Sequence, residues 1–484
     1  MKLTRAFRLV VGLLCLAPLA NCAVNPVTGQ QNFVTMSESD EVRTGKQADA
    51  DVRKEYGVYD NPALQRYVNE VGQRLAQKSH RANLEYHFTV VDSPEINAFA
   101  LPGGYIYITR GIMAYLNTEA ELAAVLGHEI GHVTARHGVR QQSASMAANI
   151  GIVLGSILVP ELRSQGAQDL LNQFGGALIS GYGRDHELEA DRLGAEYLAR
   201  AGYNPQAMVK VIGILKNQEL FDAQVAREEG REPRRYHGLF ATHPDNDTRL
   251  REVVGEADRL ALPGADNRQA AYLAQLNGLI FGDSPNQGIV RGNRFLHGEL
   301  GFALDFPAGW KIRNQPDKVA AFSPANDAAI ELQMAGPARA TPADFLRRTF
   351  RLDSGNELDT APINGLPAAV ISGTRQGKPI KVGTIYLKEK TFVLAATAKS
   401  PAVYNRYREP ISAAIASFHA LQDAERKLAK PTLIHIRPAK KGETFASLAS
   451  QTPLGKNADG YLRLMNHAYP TGEPQPGQSL KTIE

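Results

Sequence analysis

Hydrophobic and polar positions alternate in two different ways along the chain, and the change falls near residue 262. Before it, apolar residues recur mainly at the three- to four-residue spacing of amphipathic helices, as from Leu64 to Leu75. After it, short alternating runs separated by turns are typical of strands, and 401–418 returns to a helical pattern. The pattern therefore predicts a mainly helical first half and a strand-rich second half.

The length of 484 residues exceeds that of one ordinary domain, so we predict a multidomain protein. Within the helical half, residues 97–108 (NAFALPGGYIYI) have the pattern of a β-hairpin. Its free edge could pair with an extended peptide, or the hairpin could simply pack on a helix. The predicted divisions are an export signal at 1–22, a mainly α-helical domain at 23–262, an α+β domain at 285–421 and a small βααβ module at 431–484.

The first 22 residues have the composition of an export signal. Basic residues precede an apolar run from Leu9 to Ala20, which is shorter than the ~20 residues that a membrane span needs. The run ends in Leu-Ala-Asn-Cys, which resembles a bacterial lipobox, although Asn21 replaces the usual small residue. We therefore expect lipidation at Cys22, with cleavage of a simple secretory signal as the alternative. Both versions place the protein in the periplasm, and the first anchors it to the outer membrane.

Charge and cysteine content limit the possible partners. The formal net charge is +4, and without the three basic residues of the signal 51 basic residues face 50 acidic ones. Nothing in this balance indicates a nucleic-acid partner. The only cysteines are Cys15, which would leave with the signal, and Cys22. No disulfide is therefore predicted.

One apolar stretch of the first half contains candidate chemistry. The sequence Thr-Glu-Ala-Glu at 118–121 has the form of a capping box and predicts the start of a helix. The sequence HEIGH follows, so that His128 and His132 lie four residues apart on one face and can bind one metal ion. Glu129, one residue after the first histidine, can act on a water molecule as a general base.

The context of this motif separates a metal site from a chance match. An HExxH sequence should arise by chance in about one or two chains in a hundred of this size. Gly127 and Gly131 stand beside the histidines, and each costs a helix about 1 kcal/mol relative to Ala. A plain core helix would gain nothing from them, whereas a metal-binding helix needs a second helix close by. We therefore favour the metal site.

The third ligand has to come from downstream. The extended form HExxHxxGxxH is excluded, because Ala135 and Gly138 stand where glycine and histidine would be required. His137 lies five residues after the second ligand, so it should point well away from the ligand face.

The strongest downstream candidate is RDHELEAD at 184–191. On a second helix, Glu187 can bind the metal while Asp191, four residues later on the same face, hydrogen-bonds a ligand histidine and fixes its ring. Glu189 would face elsewhere. The alternative is an acidic helix face in contact with solvent.

Together, HEIGH, the Glu-x-x-x-Asp sequence in RDHELEAD and the preceding NAFALPGGYIYI hairpin resemble peptidase family M48, a gluzincin family with BepA-like and LoiP-like periplasmic members. The resemblance covers about 23–260. It implies a zinc metalloendopeptidase with one Zn²⁺ ion per chain, bound by His128, His132 and Glu187.

The same resemblance draws attention to the sequence Ala-Thr-His-Pro at 241–244 and to Arg249. It implies that His243 either stabilises the oxyanion of the tetrahedral intermediate or binds zinc as a fourth ligand in a self-inhibited state. Arg249 would support His243 electrostatically. On physical grounds alone, a His-Pro pair in a turn is more often structural.

The C-terminal half contains two further resemblances. Residues 285–421 faintly resemble the PsbP-like α/β sandwich. Residues 431–484 resemble a LysM module, whose βααβ fold binds glycan chains such as peptidoglycan. The fold without sugar binding is the open alternative, because the segment between the two helices is long.

These observations predict a zinc-dependent endopeptidase of the bacterial envelope that hydrolyses peptide bonds in misfolded or misassembled proteins. The alternative, from another functional class, is a periplasmic assembly factor or chaperone whose zinc site is structural or latent, closed by His243.

Overall fold

We describe the fold from a computed structural model, in residues 22–34, 36–143, 183–229, 246–350 and 354–484. The chain forms two compact units. The first comprises the described residues within 1–53, 58–279 and 433–484, and the second comprises those within 54–57 and 280–432. The predicted signal, apart from Cys22, lies outside the described residues.

The first unit is mainly helical, as the hydrophobic pattern predicts. Its helices before residue 280 are α1 Glu38–Tyr56, α2 Pro62–Ala76, α3 Arg110–Met113, α4 Glu119–Thr134, α5 Arg184–Arg200, α6 Gln206–Glu229, α7 Asn246–Arg259 and α8 Gln269–Leu276. Its strands there are β1 Cys22–Val24, β2 Gln31–Phe33, β3 His87–Val91, β4 Ala98–Leu101 and β5 Tyr105–Thr109.

The three strands β3, β4 and β5 form one small sheet in the order β3-β5-β4. Strand β4 pairs antiparallel with β5, so the hairpin predicted at 97–108 is confirmed, and β3 pairs parallel with β5. The turn needs Gly103 and Gly104, because both have positive φ values that other residues rarely adopt. Strand β4 is an outer strand of this sheet and contacts α4.

Helix α4 is the central helix of this unit. Thr118 caps it, since its Oγ1 accepts a hydrogen bond from Glu121 N at 3.1 Å, which confirms the predicted helix start. Every residue from Glu119 to Thr134 is buried. A helix buried on all sides is held by its neighbours rather than by helix propensity, so its two glycines are tolerated.

The second unit is rich in β-structure. Its strands are β6 Ile280–Phe281, β7 Ile289–Arg291, β8 Arg294–His297, β9 Phe302–Asp305, β10 Lys311–Gln315, β11 Lys318–Phe322, β12 Ala328–Pro337, β13 Ser354–Asp359, β14 Ala368–Arg375, β15 Lys378–Leu387, β16 Lys390–Ala398 and β17 His419–Ala420. Its helices are α9 Pro342–Thr349, α10 Pro401–Ala416 and α11 Asp423–Leu428.

A seven-stranded antiparallel sheet dominates this unit, in the order β10-β11-β12-β16-β15-β14-β13, beside a four-stranded sheet in the order β17-β9-β8-β7. Helix α10 packs against the larger sheet. The core between them contains the aromatic residues Phe302, Phe306, Trp310, Phe392 and Phe418. Trp310, the single tryptophan of the sequence, is therefore a core residue.

The C-terminal residues complete the first unit. They form β18 Thr432–Pro438, α12 Phe445–Ala449, α13 Ala458–Met465 and β19 Ser479–Ile483, with β18 and β19 paired antiparallel. This is the βααβ order expected from the sequence, and the LysM resemblance and glycan binding stay predictions.

This segment is anchored to the earlier part of the first unit by buried polar contacts. Lys481 is fully buried, and its Nζ donates hydrogen bonds to the carbonyl oxygens of Ala114 at 2.6 Å and Leu116 at 2.8 Å. Asn117 Nδ2 donates to the carbonyl of Met465 at 3.0 Å. Ala114, Leu116 and Asn117 all lie just before α4. The C-terminal segment therefore fixes the stretch of chain that leads into the central helix.

Across the described ranges, no helix combines the length and apolar composition needed to cross a bilayer.

Burial lowers the pKa of Lys481 to about 7, well below its value in an unfolded chain. Between pH 7 and pH 10 the unfolded state therefore binds more protons than the folded state, and stability should rise with pH. We expect the wild type to gain ~1 kcal/mol per pH unit relative to Lys481→Met in this range. Urea unfolding of both proteins, followed by circular dichroism at several pH values, measures the difference. If the stabilities of the wild type and Lys481→Met change with pH in parallel, the lowered pKa of Lys481 is contradicted.

Candidate metal centre

Two helices bring together the three predicted ligands. Helix α4 supplies His128 and His132, and α5 supplies Glu187. Their ligand atoms all lie within 4.8 Å of one another, and all three side chains are buried. The two Nε2 atoms are 3.0 Å apart, and the Glu187 oxygens lie 3.5 Å from His128 Nε2 and 3.4 Å from His132 Nε2. Two imidazoles and one carboxylate converging on a point form a donor set that suits zinc.

Glycines allow α4 and α5 to approach this closely. A Cβ atom added to Gly131 would lie 2.9 Å from the carbonyl oxygen of Ala190, and one added to Gly194 would lie 3.1 Å from His128 N. The packing therefore confirms that Gly131, next to the second ligand histidine, lets a second helix approach closely. Larger residues would separate the two helices that share the site.

Asp191 lies where the sequence predicts, beside the first ligand histidine. Its Oδ1 is 2.8 Å from His128 Nδ1. The Nδ1 atom therefore carries a proton, and His128 Nε2 can direct its lone pair at a metal. Burial raises the pKa of Asp191, but the adjacent Arg249 and His128 together outweigh it and hold the pKa below its usual value. Burial lowers the pKa of His128, but Asp191 and Glu187 raise it to about 9, so metal binding there releases a proton.

Arg249, on α7, is buried against two carboxylates of α5, those of Asp191 and Glu187. Its Nε and Nη2 atoms lie 2.7 and 2.8 Å from the two oxygens of Asp191, and Nη1 lies 3.3 Å from Glu187. The guanidinium thus fixes the carboxylate that fixes His128. The sequence places Arg249 at the site but gives no hint of this bidentate contact. His243 lies outside the described residues.

Glu129 lines a small cavity beside the ligands. The residue is 1% exposed, and the cavity measures ≈ 20 Å³. That volume is enough for about one water molecule. The lining consists of three polar residues and apolar side chains of α4 and α6, namely His128, Glu129, Arg249, Ala124, Val125, Met208, Val211, Ile212 and Leu215. A water molecule there would contact the Glu129 carboxylate in an otherwise apolar space.

A second group of residues near the site was missed by the sequence reasoning. Helix α4 ends at Thr134, and Arg136 adopts a left-handed conformation with φ +56°. This turn brings His137 back, so that its Nδ1 lies 2.8 Å from His132 Nδ1. The expectation that His137 points away from the ligand face assumed a continuous helix. Only the unusual placement of a histidine directly after the helix could have signalled this contact.

Glu189 continues this group. Its Oε2 lies 3.0 Å from His137 Nε2 and 2.9 Å from Arg140 Nη1. Burial raises the pKa of Glu189, but hydrogen bonds from His137 and Arg140 outweigh it and lower the value to about 2. Burial lowers the pKa of His137 to about 4. Glu189 does not reach the ligand atoms, as expected, but it does contact the histidine behind them.

An HExxH helix completed by a glutamate from a second helix is the ligand arrangement found in a class of metallopeptidases. Residues 62–257 match the model of peptidase family M48.

Similar curated proteins carry metalloprotease names. The beta-barrel assembly-enhancing protease of Escherichia coli (strain K12) is 31% identical over 52% of this chain and 50% of its own length. The mitochondrial metalloendopeptidase OMA1 of Schizosaccharomyces pombe is 30% identical over 47% of this chain and 64% of its own length. The chain thus spans about half to two thirds of the length of these relatives.

One similar solved structure is of a PsbP protein, the family that residues 285–421 faintly resemble. The solution structure of cyanobacterial PsbP from Synechocystis covers 28% of this chain and 95% of that protein at 11% identity, with a TM-score of 0.22. So low a score supports no fold assignment, and the PsbP-like resemblance stays a prediction.

Substitution of Gly131 tests the helix contact. We expect Gly131→Ala to lower the free energy of unfolding by ~1–3 kcal/mol and to weaken zinc binding, because the new methyl group meets the backbone of Ala190. Gly213→Ala in α6 is the matched control, since nothing lies within 4 Å of its added Cβ. The control should gain up to ~1 kcal/mol from helix propensity. Chemical denaturation measures both, and equal gains would refute the packing argument.

Proposed function

We propose that the protein is a zinc-dependent endopeptidase. The observation that carries the proposal is the convergence of His128, His132 and Glu187 on one point, with Glu129 beside it at a cavity for one water molecule. The family of residues 62–257 supports the same activity.

The residues divide the chemistry between them. His128, His132 and Glu187 would hold Zn²⁺, which when bound acidifies water and polarises the scissile carbonyl group. The Glu129 carboxylate takes a proton from the attacking water and delivers it to the leaving amine. The apolar walls of the cavity exclude further water and strengthen these charge interactions.

Positive charge near the reacting carbonyl would come from two residues of the 243–249 region. In this proposal His243 stabilises the oxyanion, or closes the zinc site as a fourth ligand in a resting state. Arg249 contributes through Asp191 and Glu187, which it contacts directly. A protonated guanidinium at this position limits the negative charge that the carboxylates would otherwise impose on the oxyanion.

The substrate would bind beside the helix that carries the motif. Strand β4 is the outermost strand of its sheet and contacts α4. An extended segment of substrate pairing with β4 would be held mainly through its backbone. Backbone recognition tolerates many sequences, which suits a protease acting on misfolded or misassembled envelope proteins.

The proposed location is the bacterial envelope. The signal-like sequence before Cys22 and the name of the beta-barrel assembly-enhancing protease both support it. Lipidation of Cys22 would tether the protein to the outer membrane. The C-terminal segment could in addition contact peptidoglycan, although its anchoring to the first unit already gives it a structural role.

Glu129→Gln tests the role of the proposed base. The variant should bind zinc as the wild type does but cleave an unfolded protein 10²–10⁴-fold more slowly, because only proton transfer is lost. Cleavage is measured by gel electrophoresis with purified protein lacking the signal, and zinc content by elemental analysis. Undiminished cleavage by Glu129→Gln would overturn this role.

His243→Ala separates the peptidase from the assembly factor. If the wild type does not cleave the unfolded protein but His243→Ala does, the protein is a self-inhibited peptidase. If the wild type, Glu129→Gln and His243→Ala all bind one zinc ion per chain and none of them cleaves the substrate, the assembly-factor function replaces the proposed one.

A further inference from the structure

We propose that His137 and Glu189 are positioning residues for the ligand His132, through an unbroken chain of hydrogen bonds from His132 Nδ1 to the Glu189 carboxylate. The proposal deepens the zinc-peptidase function and rests on it for the metal, but it concerns residues to which neither the motif nor the family resemblance gives a role.

The chain of contacts is short at every step. His132 Nδ1 lies 2.8 Å from His137 Nδ1, and His137 Nε2 lies 3.0 Å from Glu189 Oε2. Arg140 Nη1 holds the same carboxylate oxygen at 2.9 Å. Each distance is that of a hydrogen bond. The arrangement leaves the Nε2 atom of His132 directed at Glu187 and the metal position.

Proton placement allows only one direction for this chain. A bound metal would use the lone pair of His132 Nε2, so the ring proton must be on Nδ1. This N–H group then donates a hydrogen bond to His137 Nδ1. His137 Nδ1 must then accept, which puts its own proton on Nε2, facing Glu189. The carboxylate can only accept when ionised. Glu189 therefore selects the His137 tautomer that in turn selects the metal-binding tautomer of His132.

The packing of His137 supports a positioning role. Its side chain is fully buried, and its ring stacks on that of His186 with centroids 4.3 Å apart and an interplanar angle of 17°. Stacking fixes the ring plane, and the two hydrogen bonds fix its rotation. A buried imidazole held in both ways can orient its neighbour with little freedom.

The two ligand histidines are supported in parallel ways. His128 is held by Asp191, which Arg249 holds. His132 is held through His137 by Glu189, which Arg140 holds. Both terminal carboxylates come from α5, the helix that also supplies Glu187. One helix therefore provides the third ligand and the two anchors for the others.

A pair of substitutions at one position tests the proposal. His137→Leu removes the acceptor and should weaken zinc binding 10–100-fold, as loss of an outer hydrogen-bond partner typically does. His137→Asn places an oxygen near the lost Nδ1 and should restore most of the affinity. Zinc dissociation constants are measured by competition with a chromophoric chelator. The absorption bands of the cobalt-substituted proteins report the ligand geometry independently.

His297→Leu, at a buried histidine of the second unit, is the matched control and should leave zinc affinity unchanged. Wild-type zinc affinity in His137→Leu would overturn the proposal. Equal weakening in the Leu and Asn variants would also overturn it, because lost packing would then explain the effect. Neither outcome depends on cleavage, so full zinc binding without cleavage by either the wild type or His243→Ala would overturn the proposed function and leave this proposal standing.

Discussion

The contact between α4 and α5 is the constraint on which the candidate site depends, because neither helix carries a complete site. Helix α4 offers two imidazoles on one face, and α5 offers the carboxylate between them. The backbones approach closely because glycine occupies 131 and 194. A metal site tolerates displacements of only a few tenths of an ångström. The metal site therefore requires residues without side chains at these two positions. The helix propensity lost at these glycines is offset by complete burial of α4.

The acidic residues of α5 show how one short sequence serves several purposes. Glu187 and Asp191 are four residues apart and lie on the same face, toward the two histidines and Arg249. Glu189 lies between them and faces another direction. It still reaches the site, because the chain turns sharply after α4 and delivers His137 to it. Glu187 therefore faces the two ligand histidines directly, whereas Asp191 contacts His128 from behind and Glu189 reaches His132 through His137.

Local patterns explain which features could be predicted. The capped start of α4, the pairing of His128 with His132, and the placement of Glu187 with Asp191 follow from helical periodicity within a few residues. The place of His137 depends on the left-handed conformation of Arg136, which no side-chain pattern specifies. The anchoring of Lys481 beside Ala114 joins residues hundreds of positions apart, and so does not follow from spacing. Alternating hydrophobic runs predict that the second half is rich in strands, but they do not specify the pairing of β12 with β16.

Charge balance gives a separate reason to expect a divalent cation at this place. Among the described side chains, the carboxylates of Glu129, Glu187 and Asp191 meet one guanidinium, that of Arg249, in a buried space. In their ionised forms the three carboxylates exceed the guanidinium by two formal negative charges, of which a protonated His128 offsets one when no metal is bound. Net negative charge in a low-dielectric interior is costly to the fold. A divalent cation between the two histidines and Glu187, with His128 neutral, would balance the group, so the charge of the site and its donor atoms both favour a divalent metal ion.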